Sequence, residues 1–291
     1  MLHHHRAHPT LPSRTVLLGA NGFVAAAIRR RLAQRGAEVL VRSAREHDLL
    51  RPGAAEDLAT ALRADDALVV VAAEAPCRSP EQLVRNVRLV EAVCAALVKQ
   101  PVDHVVYISS DAVYADGAGP ITEATCPTAP DLHGAMHRAR EVMLGARAGA
   151  ALAILRPSLL YGAADPHNGY GPNRFRRTAA ESGRIQLSGE GEEKRDHVWI
   201  DDLAEIAVRV LERRSAGILN VATGTSSSFR EVAERVAALF DSVVEITGQP
   251  RKTPITHRHF DAIAVRKAFP DFRFTPLADG LERVHREITH G

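Results

Sequence analysis

The amino-acid sequence predicts an α/β fold in which a doubly wound parallel sheet is accompanied by a smaller lobe. Strand and helix signals alternate through the first half of the chain, which is the pattern of repeated β-α-β units. Residues 67–72 form a continuous apolar run, as expected for a strand buried on both faces of a parallel sheet. A glycine-rich turn between the first strand and the first helix is the third observation.

That turn has the composition of a phosphate-binding loop. The apolar run of residues 16–18 ends at Gly19, Gly22 follows, and residues 26–35 predict a helix that stops at Gly36. Gly19 can adopt backbone angles that a side chain would forbid, and Gly22 leaves its backbone open to a ligand. The free N–H groups and positive dipole end of the helix favour a pyrophosphate. A glycine-rich turn of some other α/β protein is the alternative.

The other elements follow in chain order. A long helix begins at Ser79, which caps it, and Pro80 and Glu81 occupy the positions they favour. Further strands are predicted over residues 38–41, 104–108, 152–155, 217–222 and 243–247, and further helices over residues 54–62, 134–148, 173–182, 201–213, 228–240 and 277–288. Ser228 and Glu231 have the spacing of a capping box. The alternation breaks down after Pro157, where the smaller lobe is predicted to begin.

The composition limits the classes of function. The chain of 291 residues is 45% hydrophobic and 25% charged, carries a formal net charge of +2 and has only 4% aromatic residues. Scattered arginines and few aromatics argue against nucleic acid as a partner. No apolar run approaches the roughly 20 residues that span a bilayer, so no membrane partner is expected. Three irregularly spaced cysteines, Cys77, Cys94 and Cys126, indicate neither disulfides nor a zinc site and suit the cytoplasm.

Several short motifs occur in a characteristic order along the chain. They are residues 19–24 (GANGFV), Ala72-Ala73, Asn86, residues 108–114 (ISSDAVY), residues 155–162 (LRPSLLYG) and residues 195–204 (RDHVWIDDLA). In this order they resemble the extended short-chain dehydrogenases, the family of NAD(P)-dependent nucleotide-sugar epimerases, dehydratases and reductases. The resemblance covers nearly the whole chain from Thr15 and implies a Rossmann-type fold with a dinucleotide cofactor.

The resemblance also divides the chain. Residues 1–13 are predicted to be a flexible tail. Residues 14–160, with part of 192–225, are expected to form the NAD(P)-binding Rossmann domain, and residues 161–191 and 226–291 the substrate-binding lobe. No flexible linker separates these two parts, so they are predicted to be intertwined.

Cofactor-binding residues are implied mainly by the motifs. They are Gly19, Asn21, Gly22, Phe23, Val24, Asp48, Leu49, Ala72, Ala73, Asn86, Ser109 and Pro157. The end of the second strand selects the cofactor, because an acid there holds the ribose 2′-OH of NAD whereas arginine accommodates the 2′-phosphate of NADP. Arg42, Ser43 and Arg45 stand there with no acid before Glu46, so NADP is preferred over NAD. Solvated surface arginines are the alternative.

The catalytic motifs depart from the family pattern. Ser110 aligns with the family's Ser or Thr, which hydrogen-bonds the reacting substrate oxygen, and Asp111 resembles the acid that follows it in some branches. In the dehydratase branch a Glu follows, but here the residue is Ala112, which argues against a 4,6-dehydratase. The family's Tyr-x-x-x-Lys aligns with His133 and His137.

The two histidines lie one helical turn apart and share a face. Histidine has an ordinary pKa of about 6.5, against about 10 for tyrosine, so His133 can replace the tyrosine as acid or base at neutral pH. His137 can hydrogen-bond the nicotinamide ribose in place of the lysine. Loss of catalysis is the second interpretation, and a misplaced alignment is the third. No Glu follows His133 and no third ligand is evident, so no metal site is predicted.

Substrate contacts and oligomeric state rest on the resemblance. Arg195 matches the arginine that binds the nucleotide diphosphate, and Asn173 resembles the asparagine near the same group; a salt bridge from Arg195 to Asp196 or Asp201 is the alternative. A nucleotide-sugar is the expected substrate. A homodimer is possible through the helices over residues 82–99 and 134–148.

Two classes of function follow. The chain is predicted to be an NAD(P)-dependent oxidoreductase or epimerase that transfers a hydride to or from a nucleotide-sugar or a related small carbonyl or alcohol, with Ser110 and His133 at the reacting oxygen. The alternative is a catalytically impaired family member that binds a dinucleotide or nucleotide-sugar as a sensor or scaffold. The intact Ser110-Asp111 pair favours the enzyme, whereas the loss of both Tyr and Lys favours the binding protein.

Overall fold

The computed structural model describes residues 2–117, 119–147 and 151–290. The strands are β1 (His3–His4), β2 (Arg14–Leu18), β3 (Val39–Arg42), β4 (Asp66–Val70), β5 (His104–Ile108), β6 (Leu152–Pro157), β7 (Leu159–Tyr161), β8 (Arg184–Ser188), β9 (Lys194–Trp199), β10 (Ser215–Val221), β11 (Ser226–Ser228) and β12 (Glu245–Gln249). The helices are α1 (Phe23–Gln34), α2 (Ala54–Ala61), α3 (Pro80–Lys99), α4 (Leu132–Gly145), α5 (Pro172–Ser182), α6 (Ile200–Glu212), α7 (Phe229–Ala237), α8 (Ile263–Ala268) and α9 (Leu277–His290).

A seven-stranded sheet forms the centre of the molecule, in the order β3-β2-β4-β5-β6-β10-β1. All of its neighbouring strands run parallel except β1, which pairs antiparallel with β10. Both faces are covered by helices, as β2 illustrates: Leu17 belongs to one core cluster, whereas Val16 and Leu18 belong to the cluster on the opposite face. The predicted doubly wound parallel sheet is therefore confirmed.

Each face of the sheet has its own helices. α1 packs against α6 on one face, while α2, α3 and α4 pack in succession on the other. α3 begins as predicted, with the Ser79 hydroxyl accepting a hydrogen bond from the N–H of Gln82. Such local caps explain why this start was readable from sequence.

The second half contributes two small sheets, β11-β9-β7 and β12-β8. β9 lies in one of these sheets, whereas β10 returns to the central sheet, so the chain crosses between the two parts within residues 192–225. The predicted capping box of Ser228 and Glu231 is present at the start of α7. β7, β8, β9, β11 and α8 were not predicted, in part because polar residues fill strands such as β9.

Two boundaries differ from the sequence prediction in ways that matter. α4 begins at Leu132 rather than Gly134, because the Asp131 side chain accepts a hydrogen bond from the N–H of Gly134. The expected end of this helix, residue 148, lies outside the described residues. The N-terminal tail is not wholly detached, since His3 and His4 pair with Ala216 and Ser215 at the sheet edge.

Two kinds of partner, a membrane and a second copy of the chain, would contact the helices. No helix within the described ranges is long and apolar enough to cross a membrane. α3 and α4 pack against each other and leave Val84, Val98 and Val142 half or more exposed. A homodimer through these helices stays a prediction.

Candidate active site

A cleft of about 740 Å³ opens where the parallel strands of the central sheet end. Ligands of open parallel sheets bind at this edge. The loops after β2, β3, β4, β5 and β6 all contribute to its walls. The predicted site residues that line it are Gly19, Asn21, Gly22, Phe23, Val24, Arg42, Asp48, Leu49, Ala72, Ala73, Ser109, Ser110, Asp111, His133, His137, Pro157 and Asn173. Asn86 and Arg195 do not line it.

The loop after β2 forms a cradle without side chains. Gly19 has φ +88°, and a Cβ atom placed on it would lie 2.6 Å from the backbone of Ala72. Gly22 precedes α1 and offers no capping side chain, so the first N–H groups of the helix stay available. Ala25, in the first turn of α1, is fully buried in the core. These observations fit the pyrophosphate of a dinucleotide.

Two arginines mark the end of the cleft beside β3. Arg42 and Arg45 line it, and neither forms an ion pair within the described ranges. The Nε atom of Arg42 is buried without a hydrogen-bond partner. Ser43 is turned away, because its hydroxyl donates to Glu46 at 2.9 Å. Sequence reasoning missed His47, a buried residue of this wall whose pKa is lowered by burial and by the charges of Arg42 and Arg51.

Asn86 acts on the backbone rather than on the cleft. Its side chain accepts a hydrogen bond from the N–H of Glu74 and donates to the carbonyls of Glu74 and Gln82. All three of these bonds are internal, and the residue is fully buried. Asn86 therefore holds the loop after β4, which carries Ala72 and Ala73, and its expected direct contact with a cofactor is not supported.

Ser110 and Asp111 follow β5 and face the cleft together. The Ser110 hydroxyl accepts a hydrogen bond from the N–H of Ala112 at 3.1 Å and donates a long one to Oδ1 of Asp111 at 3.4 Å. Asp111 is buried and pairs with Arg258 at 3.0 Å, across 147 positions of sequence. Sequence reasoning missed Arg258, since nothing local to it indicates this partner. Because Asp111 is committed to an ion pair, Ser110 is the better candidate for contact with a substrate oxygen.

His133 and His137 lie side by side on α4, and both line the cleft. Their ring centres are 4.8 Å apart in an edge-to-face arrangement. Nδ1 of His133 accepts a hydrogen bond from the N–H of Cys77 at 3.4 Å, which leaves Nε2 for a substrate. Burial is the main cause that lowers the pKa of both rings. Both imidazoles are therefore neutral at pH 7, and in neutral His133 the Cys77 contact favours the proton on Nε2.

The hydroxyl of Tyr107 lies 2.7 Å from Nδ1 of His137, inside the protein. Tyr107 is the fourth residue of β5, and this strand brings it to His137 on α4. Burial raises the pKa of Tyr107 to about 12, so the phenol keeps its proton. Tyr107 thus contacts a cleft residue without lining the cleft itself.

The two predicted substrate residues have different surroundings. Asn173, at the start of α5, lines the cleft, donates to Asp165 at 2.7 Å and accepts from the N–H of Gly162. Arg195 lies outside the cleft, where its guanidinium binds Asp116 at 3.1 Å and the carbonyl of Thr256 at 2.7 Å. The anticipated partners Asp196 and Asp201 are replaced by Asp116. The structure does not bring Arg195 to the other site residues.

The parallel sheet, the glycine cradle and the cleft at the strand ends define a Rossmann-type dinucleotide-binding protein. A family model described as "NAD dependent epimerase/dehydratase family" matches residues 15–222. The chain belongs to this family of NAD-dependent enzymes. The resemblance inferred from the short motifs is thereby confirmed.

Individual relatives are distant but cover most of the chain. The protein named "Putative GDP-L-fucose synthase 2" of Oryza sativa subsp. japonica is 28% identical over 306 residues, 94% of this chain and 86% of that protein. Among solved structures, MoeE5 in complex with UDP-glucose and NAD has a TM-score of 0.83 at 22% identity, covering 95% of this chain and 98% of the other. RMD from Pseudomonas aeruginosa complexed with NADPH has a TM-score of 0.82 at 21% identity, covering 94% and 98%.

The family match confirms an NAD-dependent enzyme of the epimerase/dehydratase class. At these identities the likeness to solved structures concerns the fold. Within the described ranges no group of three or more His, Cys, Asp or Glu side chains could hold a metal ion.

Proposed function

We propose that the protein is an NADPH-dependent oxidoreductase that reduces a carbonyl of a nucleotide-sugar or a related small molecule. The observation that carries this proposal is that Ser110, His133 and the glycine cradle share one cleft. Incubation with NADPH and a panel of keto-sugars linked to UDP, dTDP or GDP, followed by NADPH absorbance, tests it. Binding of NADPH without turnover of any member would support the binding-protein alternative instead.

Ser110, His133 and His137 are proposed to have different roles in the cleft. The cofactor, when bound, supplies the hydride. Ser110, once its hydroxyl turns from Asp111, donates a hydrogen bond to the substrate carbonyl oxygen, and Nε2–H of His133 donates a second. That oxygen gains its proton from Nε2 when Nδ1 of His133 has taken up a proton from solvent, so the ring returns to its neutral form. This donor arrangement favours reduction, because oxidation of an alcohol would need Nε2 of His133 free of its proton. His137 is proposed to face the nicotinamide ribose through its remaining nitrogen.

Arg42 is proposed to read the 2′-phosphate of NADPH. It lines the cleft without a carboxylate partner in the described part of the chain, and arginine binds phosphate through two parallel hydrogen bonds. Replacing Arg42 with alanine should weaken NADPH binding by roughly 10- to 100-fold and NADH binding by less than about twofold. Calorimetric titration of each cofactor measures both effects.

The control for this experiment is Arg184→Ala. Arg184 lies on β8 and forms an exposed ion pair with Glu245 on β12, so this variant removes the same charge away from the cleft. It should leave both affinities unchanged. Equal weakening of NADPH and NADH by Arg42→Ala would contradict the assignment of NADP.

Arg195 is proposed to bind the substrate diphosphate once Asp116 releases it. The Asp116 carboxylate bridges two arginines, with Arg195 at 3.1 Å and Arg258 at 2.8 Å, as a phosphate oxygen pair would. Burial acts to raise the pKa of Asp116, but a hydrogen bond from Thr256 and the charges of Arg258 and Arg195 outweigh it and lower that pKa. Asp116 is therefore an anionic competitor within the chain.

Asp116→Asn should strengthen the binding of UDP by roughly 3- to 10-fold, because the two arginines no longer prefer the internal partner. Asp103→Asn is a matched control, since Asp103 also bridges two arginines, Arg6 and Arg214, away from the cleft. Calorimetry with UDP gives the result. Weaker UDP binding in Asp116→Asn than in Asp103→Asn would show that Asp116 supports the site rather than competes for it.

A further inference from the structure

Arg140 is a buried cation whose role the motifs do not explain. It is 1% exposed, and within the described ranges its guanidinium has no carboxylate partner. It donates to the carbonyl of Ala72 and contacts the sulfur of Met136 at 3.6 Å, while its Nε has no partner. Burying an unpaired charge is strongly unfavourable, so this arrangement needs a reason.

Arg156, an equally buried arginine nearby, has its charge neutralised by a carboxylate, as is usual for buried charges. Glu141 accepts two hydrogen bonds from it, at 2.8 and 2.6 Å, and the Tyr114 hydroxyl accepts a third. Glu141 neighbours Arg140 in sequence but is fully engaged with Arg156, Ser109 and Arg138. The positive charge of Arg140 therefore stays uncompensated beside the cleft.

Contacts lead from this charge to the cleft in two directions. The guanidinium carbon lies 5.1 Å from the ring centre of Tyr107, whose hydroxyl is 2.7 Å from Nδ1 of His137. The ring of His137 packs on that of His133. In the other direction, Arg140 binds the carbonyl of Ala72, and Ala72 closes the glycine cradle against Gly19.

We propose that Arg140 is a positioning residue that supplies the fixed positive charge of the reaction centre from behind the cleft wall, with Tyr107 holding His137 between that charge and His133. The inference rests on the proposed reductase function. Arginine suits this place because its guanidinium stays charged when buried and stacks on an aromatic ring. A fixed positive charge stabilises the negative charge that develops on the substrate oxygen as the hydride arrives.

The same charge adds to the burial that keeps the two histidines neutral. Burial comes first in lowering the pKa of His133, and His167 and Arg140 lower it further, against Asp131 and Asp111, which raise it. For His137, burial, His133 and Arg140 all lower the pKa. Tyr107 faces Arg140 and Glu141, whose charges act in opposite directions on its phenol.

The closing experiment measures the pKa of His133 by NMR in the full-length protein, with its resonance identified by its loss in His133→Ala. Arg140→Met keeps the length of the side chain and removes the charge, so the pKa of His133 should rise above its wild-type value. Arg140→Lys should keep it low. Arg138→Met is the matched control, since Arg138 is a half-exposed partner of Glu141 on the same helix, and should leave it unchanged.

Two further readouts separate the outcomes. Turnover should fall at least roughly tenfold in Arg140→Met and recover in part in Arg140→Lys, and Tyr107→Phe should lower kcat without changing NADPH affinity.

A folded Arg140→Met protein in which His133 titrates as in Arg138→Met overturns the inference. If Arg140→Met does not fold, Arg140→Gln, which still donates to Ala72, takes its place under the same criteria. Failure of the wild-type protein to bind NADPH would overturn the proposed function, and the histidine titration would still decide the inference.

Discussion

Replacing His133 with alanine should lower turnover by roughly 10²- to 10⁴-fold, the range that a positioned proton donor contributes. The affinity for NADPH should change by less than about twofold, because the glycine cradle and Arg42, which lie elsewhere in the cleft, are untouched. Single-turnover kinetics with a substrate found by the keto-sugar panel, together with an NADPH titration, measures both.

His133→Gln sharpens this experiment. Its amide keeps an N–H donor of similar reach but cannot exchange a proton, so it should retain part of the hydrogen-bond effect and remain well below the wild type. A fully active alanine variant would remove His133 from the mechanism. The third interpretation, in which another residue supplies the proton, would then stand.

The second large effect is expected at Gly134, next to His133. A Cβ atom at this position would overlap the carbonyl oxygen of Ala112 and lie 3.1 Å from Cβ of Ala129. Gly134→Ala must therefore push α4 away from the short 3-10 helix Asp111–Val113, and with it His133 away from Ser110. Alanine would favour the helix by about 1 kcal/mol, but the overlap involves backbone and should cost roughly 1–3 kcal/mol, so the net effect is loss of stability.

Activity should suffer more than stability, because a displacement of about 1 Å between catalytic groups lowers rates by roughly 100-fold. Urea unfolding and kcat report the two quantities separately. Gly145→Ala is the matched control at the other end of α4, where an added Cβ meets nothing within 4 Å. If Gly134→Ala retained wild-type kcat, the close packing of α4 on the Ser110 loop would be irrelevant to catalysis.

Local sequence patterns were sufficient to predict the central parallel sheet and the helices that cover it. Unbroken apolar runs indicated strands buried on both faces, and β2 is indeed buried at every position. The starts of α3 and α7 were legible because their capping partners lie within three residues of each other. The strands of the second lobe were missed, since their partners are distant and polar residues break their pattern, as in β9.

By itself, the sequence determined the family, the sheet and seventeen of the nineteen residues expected at the cleft, because motifs at strand ends meet at one edge of a parallel sheet. Only the tertiary structure decided what stands behind that edge. Asn86 hydrogen-bonds the backbone, and Arg195 forms an ion pair with Asp116. Arg258 pairs with Asp111, and the Tyr107 hydroxyl contacts Nδ1 of His137. Except for those of Asn86, these contacts join residues at least 30 positions apart in the chain. Burial, which no local pattern specifies, strengthens them and lowers the pKa of both histidines.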